Sequence, residues 1–98
     1  MNKTVPQLLG DAAKTFEQRN KVYGSAYKRH GYVMSALLPD GVRLNSSEDF
    51  MRFGLLNMVV GKLVRYSSNF AGGGHADSIH DAMVYCAMLE EVDGDNDA

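Results

Sequence analysis

Two pairs of charged residues are spaced so that they could act together on one ligand. Asp77 and Asp81 lie four residues apart, and Lys62 and Arg65 lie three apart. Residues at these spacings share one face of a helix, so each pair would present its charges to one point. Mg²⁺ commonly bridges one or two carboxylates to a substrate phosphate, and lysine and arginine bind phosphate oxygens. The two pairs together therefore predict a site for a nucleotide with Mg²⁺.

Each pair also has a structural explanation that the spacing leaves open. Asp77 follows a glycine-rich loop, where an aspartate often caps a helix. Asp81 could form an ion pair with Lys62 or Arg65, and such a pair would lock two helices together if it were buried. Lys62 and Arg65 could instead be the solvated end of a helix, where the helix dipole favours cations.

Four helices are predicted to position these charges, because apolar residues recur at helical spacing and no strand-like alternation stands out. The helix starts carry capping signals, among them the T-x-x-Q capping box that begins at Thr4 and the serine at position 46. Turns that contain glycine or proline separate the helices. The expected helical ranges are about 4–20, 25–38, 46–68 and 77–92.

The third predicted helix is apolar on nearly all sides, which is typical of a helix in the middle of a domain. One stripe interrupts this pattern, and it carries Gly54, Asn57, Gly61 and Arg65. A glycine inside a helix costs roughly 1 kcal/mol relative to alanine, so two of them predict the close approach of another group. On the fourth helix, Cys86 lies within the apolar pattern and is expected to be buried.

Length and composition predict a single helical domain over 1–92, followed by an acidic, disordered tail over 93–98. The formal net charge of −2 includes five acidic residues in the last nine positions, whereas residues 1–89 hold 10 basic and 7 acidic residues, a balance of +3. This charge is too weak for binding duplex nucleic acid, but it suits a small ligand that carries phosphate. A short chain with six methionines is also expected to complete its core against a second copy, as a homodimer.

The sequence also bears on location. No apolar run reaches the roughly 20 residues of a membrane-spanning helix. The first residues, MNKTVPQ, lack the apolar segment of a signal peptide. A cytoplasmic protein is therefore expected.

Three segments together resemble a family of small phage and prophage proteins: EQRNKVYG (17–24), GKLVRY (61–66) and HADSIHDAMVYCAMLEE (75–91). The family pattern is a glutamate and an arginine before Tyr-Gly, then Lys-x-x-Arg, then Asp-Ser-x-x-Asp with a tyrosine one turn later. The residues that fit it are Glu17, Arg19, Tyr23, Gly24, Lys62, Arg65, Asp77, Ser78, Asp81 and Tyr85. That family is similar in turn to the MazG-like, all-α nucleoside triphosphate pyrophosphohydrolases.

The resemblance implies a compact all-α bundle of about four helices that dimerises and acts in phage nucleotide metabolism, in the host cytoplasm. It implies binding of a nucleoside triphosphate with Mg²⁺ and hydrolysis to a monophosphate and pyrophosphate, in which the metal acts as a Lewis acid. The implied metal ligands and catalytic residues are Asp77 and Asp81. Lys62, also catalytic, and Arg65 would hold the phosphates, and Tyr23, Asn57 and Tyr85 would contact the base or ribose.

One departure from the MazG-like pattern bears on catalysis. Those enzymes carry an E-E-x-x-E cluster on the helix before the last acidic pair, whereas this chain has no acid there after Asp49. Two carboxylates are few for tight binding of two or three Mg²⁺ ions. A second hypothesis is therefore a non-catalytic adaptor that binds a host or phage protein through a Met-rich apolar surface.

Overall fold

The chain folds into four α-helices, as the computed structural model shows for residues 2–97, with side-chain surroundings described for 2–94. The prediction of an all-α bundle of about four helices is confirmed, and no strand occurs among the described residues. The last helix continues to Asp97, beyond the predicted end near 92, and Ala98, the last residue of the predicted tail, lies outside the described residues. The helices are α1 (Val5–Tyr23), α2 (Ala26–Leu37), α3 (Ser47–Ser68) and α4 (Ala76–Asp97), with a 3₁₀ turn at Phe70–Gly72 between the last two.

Side-chain caps fix the starts of two helices where the sequence predicts them. At α1, the Gln7 backbone N–H donates to the Thr4 hydroxyl, and the Thr4 N–H donates to the Gln7 side-chain oxygen at 2.8 Å. At α3, the Asp49 N–H donates to the Ser46 hydroxyl at 3.1 Å. These bonds satisfy N–H groups that the helix itself leaves without partners. Ser25 precedes α2, but its hydroxyl makes no capping bond.

The carboxylate of Asp49 strengthens the start of α3. It accepts the Asn45 N–H at 3.1 Å and forms an ion pair with Arg52. The Asn45 N–H, followed by Arg52, holds the pKa of Asp49 below its ordinary value. The stabilisation is therefore present above the ordinary carboxyl pKa and is lost as the pH falls through the lowered one.

The core lies between α3 and α4, which pack along each other. Its buried side chains are Val60 and Val64 of α3 with Ser78 and Ala82 of α4. Helix α2 also packs on α3, and α1 touches α3 only sparingly. Helix α3 thus contacts all the other helices, as its apolar character predicts.

The turn between α3 and α4 depends on two glycines in the left-handed region, Gly73 (φ +104°) and Gly74 (φ +84°). At Gly74 a Cβ atom would lie 2.6 Å from the Tyr66 ring, whereas at Gly73 it would meet nothing within 4 Å. Asn69 closes the turn by donating from its side-chain amide to the Gly74 carbonyl at 2.5 Å. Backbone conformation therefore requires both glycines, and packing requires only Gly74.

Gly74→Ala is expected to destabilise the protein more than Gly73→Ala. Both changes force alanine into the left-handed region at a cost of roughly 1–2 kcal/mol. Gly74→Ala adds overpacking against Tyr66, which costs roughly 1–3 kcal/mol more. Urea unfolding of the two variants measures the difference, and equal free energies of unfolding would contradict the role of the Tyr66 contact.

Much apolar surface stays uncovered in the single chain. Helix α1 has no buried residue, and Val5 and Leu9 are 68% and 66% exposed. The radius of gyration is 16.9 Å, whereas about 13 Å is expected for a compact domain of 100 residues. Cys86 is exposed, so the prediction that it is buried is wrong. Periodicity identifies the apolar side of a helix, but these four helices do not cover every such side.

Candidate ligand groove

A groove of about 520 Å³ lies between α1, α2 and the second half of α3. It combines aromatic rings, cationic side chains and amides, which are the groups that bind an aromatic, anionic ligand. None of its lining residues, all within the described range, is acidic. They are Ala12, Phe16, Arg19, Asn20, Tyr23, Gly24, Ala26, Tyr27, His30, Asn57, Met58, Gly61, Lys62, Val64 and Arg65.

Three cations reach the groove from two helices, Arg19 from α1 and Lys62 and Arg65 from α3. The Arg65 guanidinium lies over the Tyr23 ring, with 5.4 Å between Cζ and the ring centroid. This cation–π contact orients Arg65 without neutralising it. Lys62 is only 17% exposed, so its ammonium is held close to the protein surface.

His30 and Asn57 form a polar pair in the groove, with 2.7 Å between His30 Nε2 and Asn57 Oδ1. The His30 ring packs against α3 at Gly61, where a Cβ atom would lie 3.3 Å from its Cε1. The predicted close approach is thus confirmed at Gly61, whereas a Cβ atom at Gly54 would meet nothing within 4 Å. The pair fixes the Asn57 amide, whose remaining hydrogen-bonding groups can serve a ligand.

Two aromatic rings form one wall of the groove. Phe16 of α1 and Tyr27 of α2 pack edge to face, with ring centroids 6.2 Å apart and planes at 68°. Both side chains are more than half exposed. Exposed rings beside cations give a planar ligand a surface on which to stack.

The two predicted acidic ligands lie on α4 and do not line the groove. Asp77 is the second residue of α4, so it lies inside the first turn and does not take the N-cap position considered for it. Asp81 lies one turn later and pairs with Lys62, with 3.1 Å between Oδ2 and Nζ. The Asp81 side chain is 47% exposed, so the pair is a surface contact between α3 and α4 and not a buried lock.

Asp77 and Asp81 could bind Mg²⁺ together with the phosphates of a ligand, but they do not form a metal site built from protein side chains alone. Among the described residues, no group of three or more histidine, cysteine or acidic side chains could form a metal cage. Two carboxylates on one helix face do suit an ion that is also bound by substrate phosphates. Lys62 lines the groove and also contacts Asp81 on α4. An anion bound to the Lys62 ammonium from the groove would therefore be separated from the acids of α4 only by that ammonium.

The structure thus divides the predicted site residues into two sets. Tyr85 belongs with the acids, since it is half-buried on α4 and does not line the groove. The residues in the groove are Tyr23, Asn57, Lys62 and Arg65, and those outside it are Asp77, Asp81 and Tyr85. The contact between Lys62 and Asp81 joins the two sets.

Comparison with known proteins adds no relative. No family model matches the chain, and no curated protein or solved structure matches it. The resemblance to MazG-like proteins therefore stays a hypothesis.

Several groove residues were not predicted as ligand contacts. Phe16 lies on α1, and its place beside Tyr27 depends on how α1 and α2 meet. His30 carries no spacing signal, because a single histidine on a short helix has no partner in the sequence pattern. Arg19 was named only as a residue that fits the family pattern, with no ligand role, and the structure places it in the groove wall.

The helices show no sign of a bilayer-spanning segment. Within the described residues, none combines the necessary length with the apolar character that crossing a membrane demands.

Proposed function

We propose that this chain binds a nucleoside triphosphate in the groove between α1, α2 and α3. The observation that carries the proposal is the groove lining, in which three cations and exposed aromatic rings occur together without any acid. A simple anion would need no aromatic rings, and an apolar ligand would leave Arg19 and Arg65, which form no ion pair within residues 2–94, without an anionic partner. A base joined to phosphates uses both kinds of group.

The positions of the groups suggest how such a ligand lies. Lys62 and Arg65, one turn apart on α3, are suited to the phosphates, because charge-assisted hydrogen bonds to phosphate are the strongest polar contacts available here. Phe16, Tyr23 and Tyr27 offer ring faces or edges to the base, and Asn57, fixed by His30, offers an amide to its polar edge. Arg19 adds charge on the opposite wall, from α1.

Mg²⁺ would be held by Asp77 and Asp81 together with the phosphates of the ligand. When bound there, it would neutralise phosphate charge and act as a Lewis acid. The two carboxylates alone are a weak site, so metal binding is expected to depend on the nucleotide. Lys62 would orient Asp81 and contact the phosphates from the groove side.

Binding is supported more directly than hydrolysis. Hydrolysis to a monophosphate and pyrophosphate needs a group that accepts a proton from the attacking water. No acid lines the groove among the described residues, and the imidazole of His30 is bonded to Asn57. We therefore place nucleotide binding first and treat pyrophosphate release as the assay that separates a hydrolase from a binding protein.

Asp81→Asn is expected to remove most of the affinity that Mg²⁺ adds for a nucleoside triphosphate, at least about tenfold, since it removes a charged metal ligand. Calorimetric titration with and without Mg²⁺ measures the effect, and pyrophosphate release is followed in parallel. The melting temperature without ligand should change little, because the Asp81 carboxylate is about half exposed and an ion pair open to water on that side contributes no more than about 1 kcal/mol.

Asp40→Asn is the matched control, since it removes the same charge from an exposed turn outside the groove. It should leave the Mg²⁺-dependent gain in affinity unchanged. A large fall in melting temperature for Asp81→Asn without any change in affinity would show that Asp81 is a structural ion-pair partner. Equal pyrophosphate release by wild type and Asp81→Asn would remove the enzymatic part of the hypothesis.

We further propose that the chain forms a homodimer through the exposed apolar residues at the start of α1, before the groove residues Ala12 and Phe16. Its accessible surface is 7595 Å², whereas a folded monomer of 10.8 kDa is expected to expose roughly 5500 Å². The excess of about 2000 Å² is what one protomer of an obligate homodimer commonly buries. The side chains that a second copy would cover include Val5, Leu8 and Leu9, all more than half exposed.

An adaptor that binds a different protein is the second candidate, and the same exposed side of α1 favours it. The two candidates differ in what the purified protein does alone. A dimer at micromolar concentration assigns α1 to self-association. A monomer that captures a host protein, and whose melting temperature nucleotides do not raise, would favour the adaptor.

A further inference from the structure

Arg29 lines a separate cavity at the turn between α1 and α2. The cavity has a volume of about 330 Å³ and opens where the end of α3 meets that turn. Two of its residues, Tyr23 and Gly24, also line the groove, so the two cavities adjoin. Its lining residues are Val22, Tyr23, Gly24, Ser25, Arg29, Ser67 and Ser68.

The guanidinium of Arg29 is held in place by two neutral groups. Its Nη1 donates to the Ser67 hydroxyl at 3.0 Å, and its Nη2 donates to the Ser68 hydroxyl. Each hydroxyl can give its single proton to the Val64 carbonyl, at 2.7 Å from Ser67 and 3.1 Å from Ser68. The two oxygens therefore act as acceptors toward Arg29 and fix it without cancelling its charge.

Among the described side chains, the positive charge of Arg29 is not paired with a carboxylate, unlike the charges of several other cations in the chain. Lys3, Arg52 and Lys62 each form an ion pair with an aspartate. Within residues 2–94, no carboxylate lies within 4.0 Å of Arg29. A guanidinium has five N–H groups in a rigid fork, so N–H groups remain beyond those directed at the two serines.

We infer that this cavity binds a phosphate group, with Arg29 as its main ligand. Ser25, which precedes α2, lines the same cavity as Arg29, and its hydroxyl makes no capping bond. It can therefore donate to the same anion. The inference does not depend on nucleotide binding in the groove, because it uses a different set of charged residues.

The test is a nuclear magnetic resonance titration of the whole chain with inorganic phosphate, following the side-chain Nε–Hε signal of Arg29. Wild type is expected to show a saturable shift, and Arg29→Gln is expected to weaken phosphate binding by at least about tenfold, as read from the Ser25 and Ser68 amides. Lys28→Gln is the matched control, since Lys28 lies over the Tyr27 ring and does not line this cavity. It should change the affinity less than about twofold.

A second arm replaces inorganic phosphate with ATP and identifies the source of the phosphate group. A shift of the Arg29 signal together with the groove signals, at one ATP per chain, assigns the phosphate to a nucleotide that spans both cavities. A shift of the Arg29 signal with inorganic phosphate but not with ATP assigns the site to free phosphate. Arg65→Gln should leave phosphate binding at Arg29 intact, so failure of the groove and failure of this site can be told apart.

Two results would overturn the inference. In one, the Arg29 signal of folded wild-type protein shifts with neither inorganic phosphate nor ATP. Arg29 would then have only a structural role, in holding α2 against the end of α3. The other is an equal loss of phosphate affinity in Arg29→Gln and Lys28→Gln, which would show only general attraction of anions by surface charge.

Discussion

Leu9→Asp is expected to convert a dimeric protein into a monomer. Leu9 lies in the second turn of α1, next to the exposed Val5 and Leu8, and is 66% exposed in the single chain. Covering a leucine contributes roughly 1.5–3 kcal/mol, and two-fold symmetry removes that contribution twice while also burying two carboxylates. The dissociation constant should rise at least about a thousandfold, as measured by analytical ultracentrifugation over a range of concentrations.

Gln18→Asp gives the matched control for that experiment. Gln18 lies nine residues after Leu9, which places it half a turn away on the other side of α1. The same change of charge there should leave the association unchanged. A wild-type protein that is monomeric at high micromolar concentration would contradict the dimer and would favour a heterologous partner for α1.

Arg65→Gln is expected to weaken nucleoside triphosphate binding by about 10- to 100-fold. The change removes a charge-assisted contact to phosphate, which is worth roughly 1.5–3 kcal/mol, and also removes the cation that lies over Tyr23. Calorimetric titration at fixed ionic strength measures the loss. The change should have little effect on folding, because Arg65 is exposed and forms no ion pair within residues 2–94.

Arg43→Gln controls for the overall charge of the protein. Arg43 lines a different cavity, between the segment after α2, the first half of α3 and the second half of α4, and it does not line the groove. Its removal should change nucleotide affinity less than about twofold. Equal losses in the two variants would mean that the groove does not hold the phosphates and would contradict the proposed function.

Local signals in the sequence were sufficient to predict the helices. The capping box at Thr4 and the cap at Ser46 depend on residues three positions apart, and the structure forms both. The pairing of Lys62 with Asp81 was also among the alternatives that the sequence raised, because both lie on helix faces expected to meet. Such features need no knowledge of the rest of the molecule.

Features that depend on how the helices pack against one another could not be predicted from the sequence. The groove brings Phe16, Tyr27 and Asn57 together from three helices, and no spacing along the chain encodes that meeting. The burial of Cys86 was predicted wrongly for a related reason, since an apolar pattern does not tell whether a neighbour covers it. The same limitation applies to α1, whose apolar side the single chain leaves open.

The exposed thiol of Cys86 has a practical consequence. It is the single cysteine of the chain, so a maleimide reagent attaches one fluorophore or spin label per molecule without any substitution. In a symmetric pair of chains, two such labels are separated by one characteristic spacing, which pulsed electron paramagnetic resonance can read. Cys86 thus allows the distance between two associated chains to be measured without introducing a cysteine by mutation.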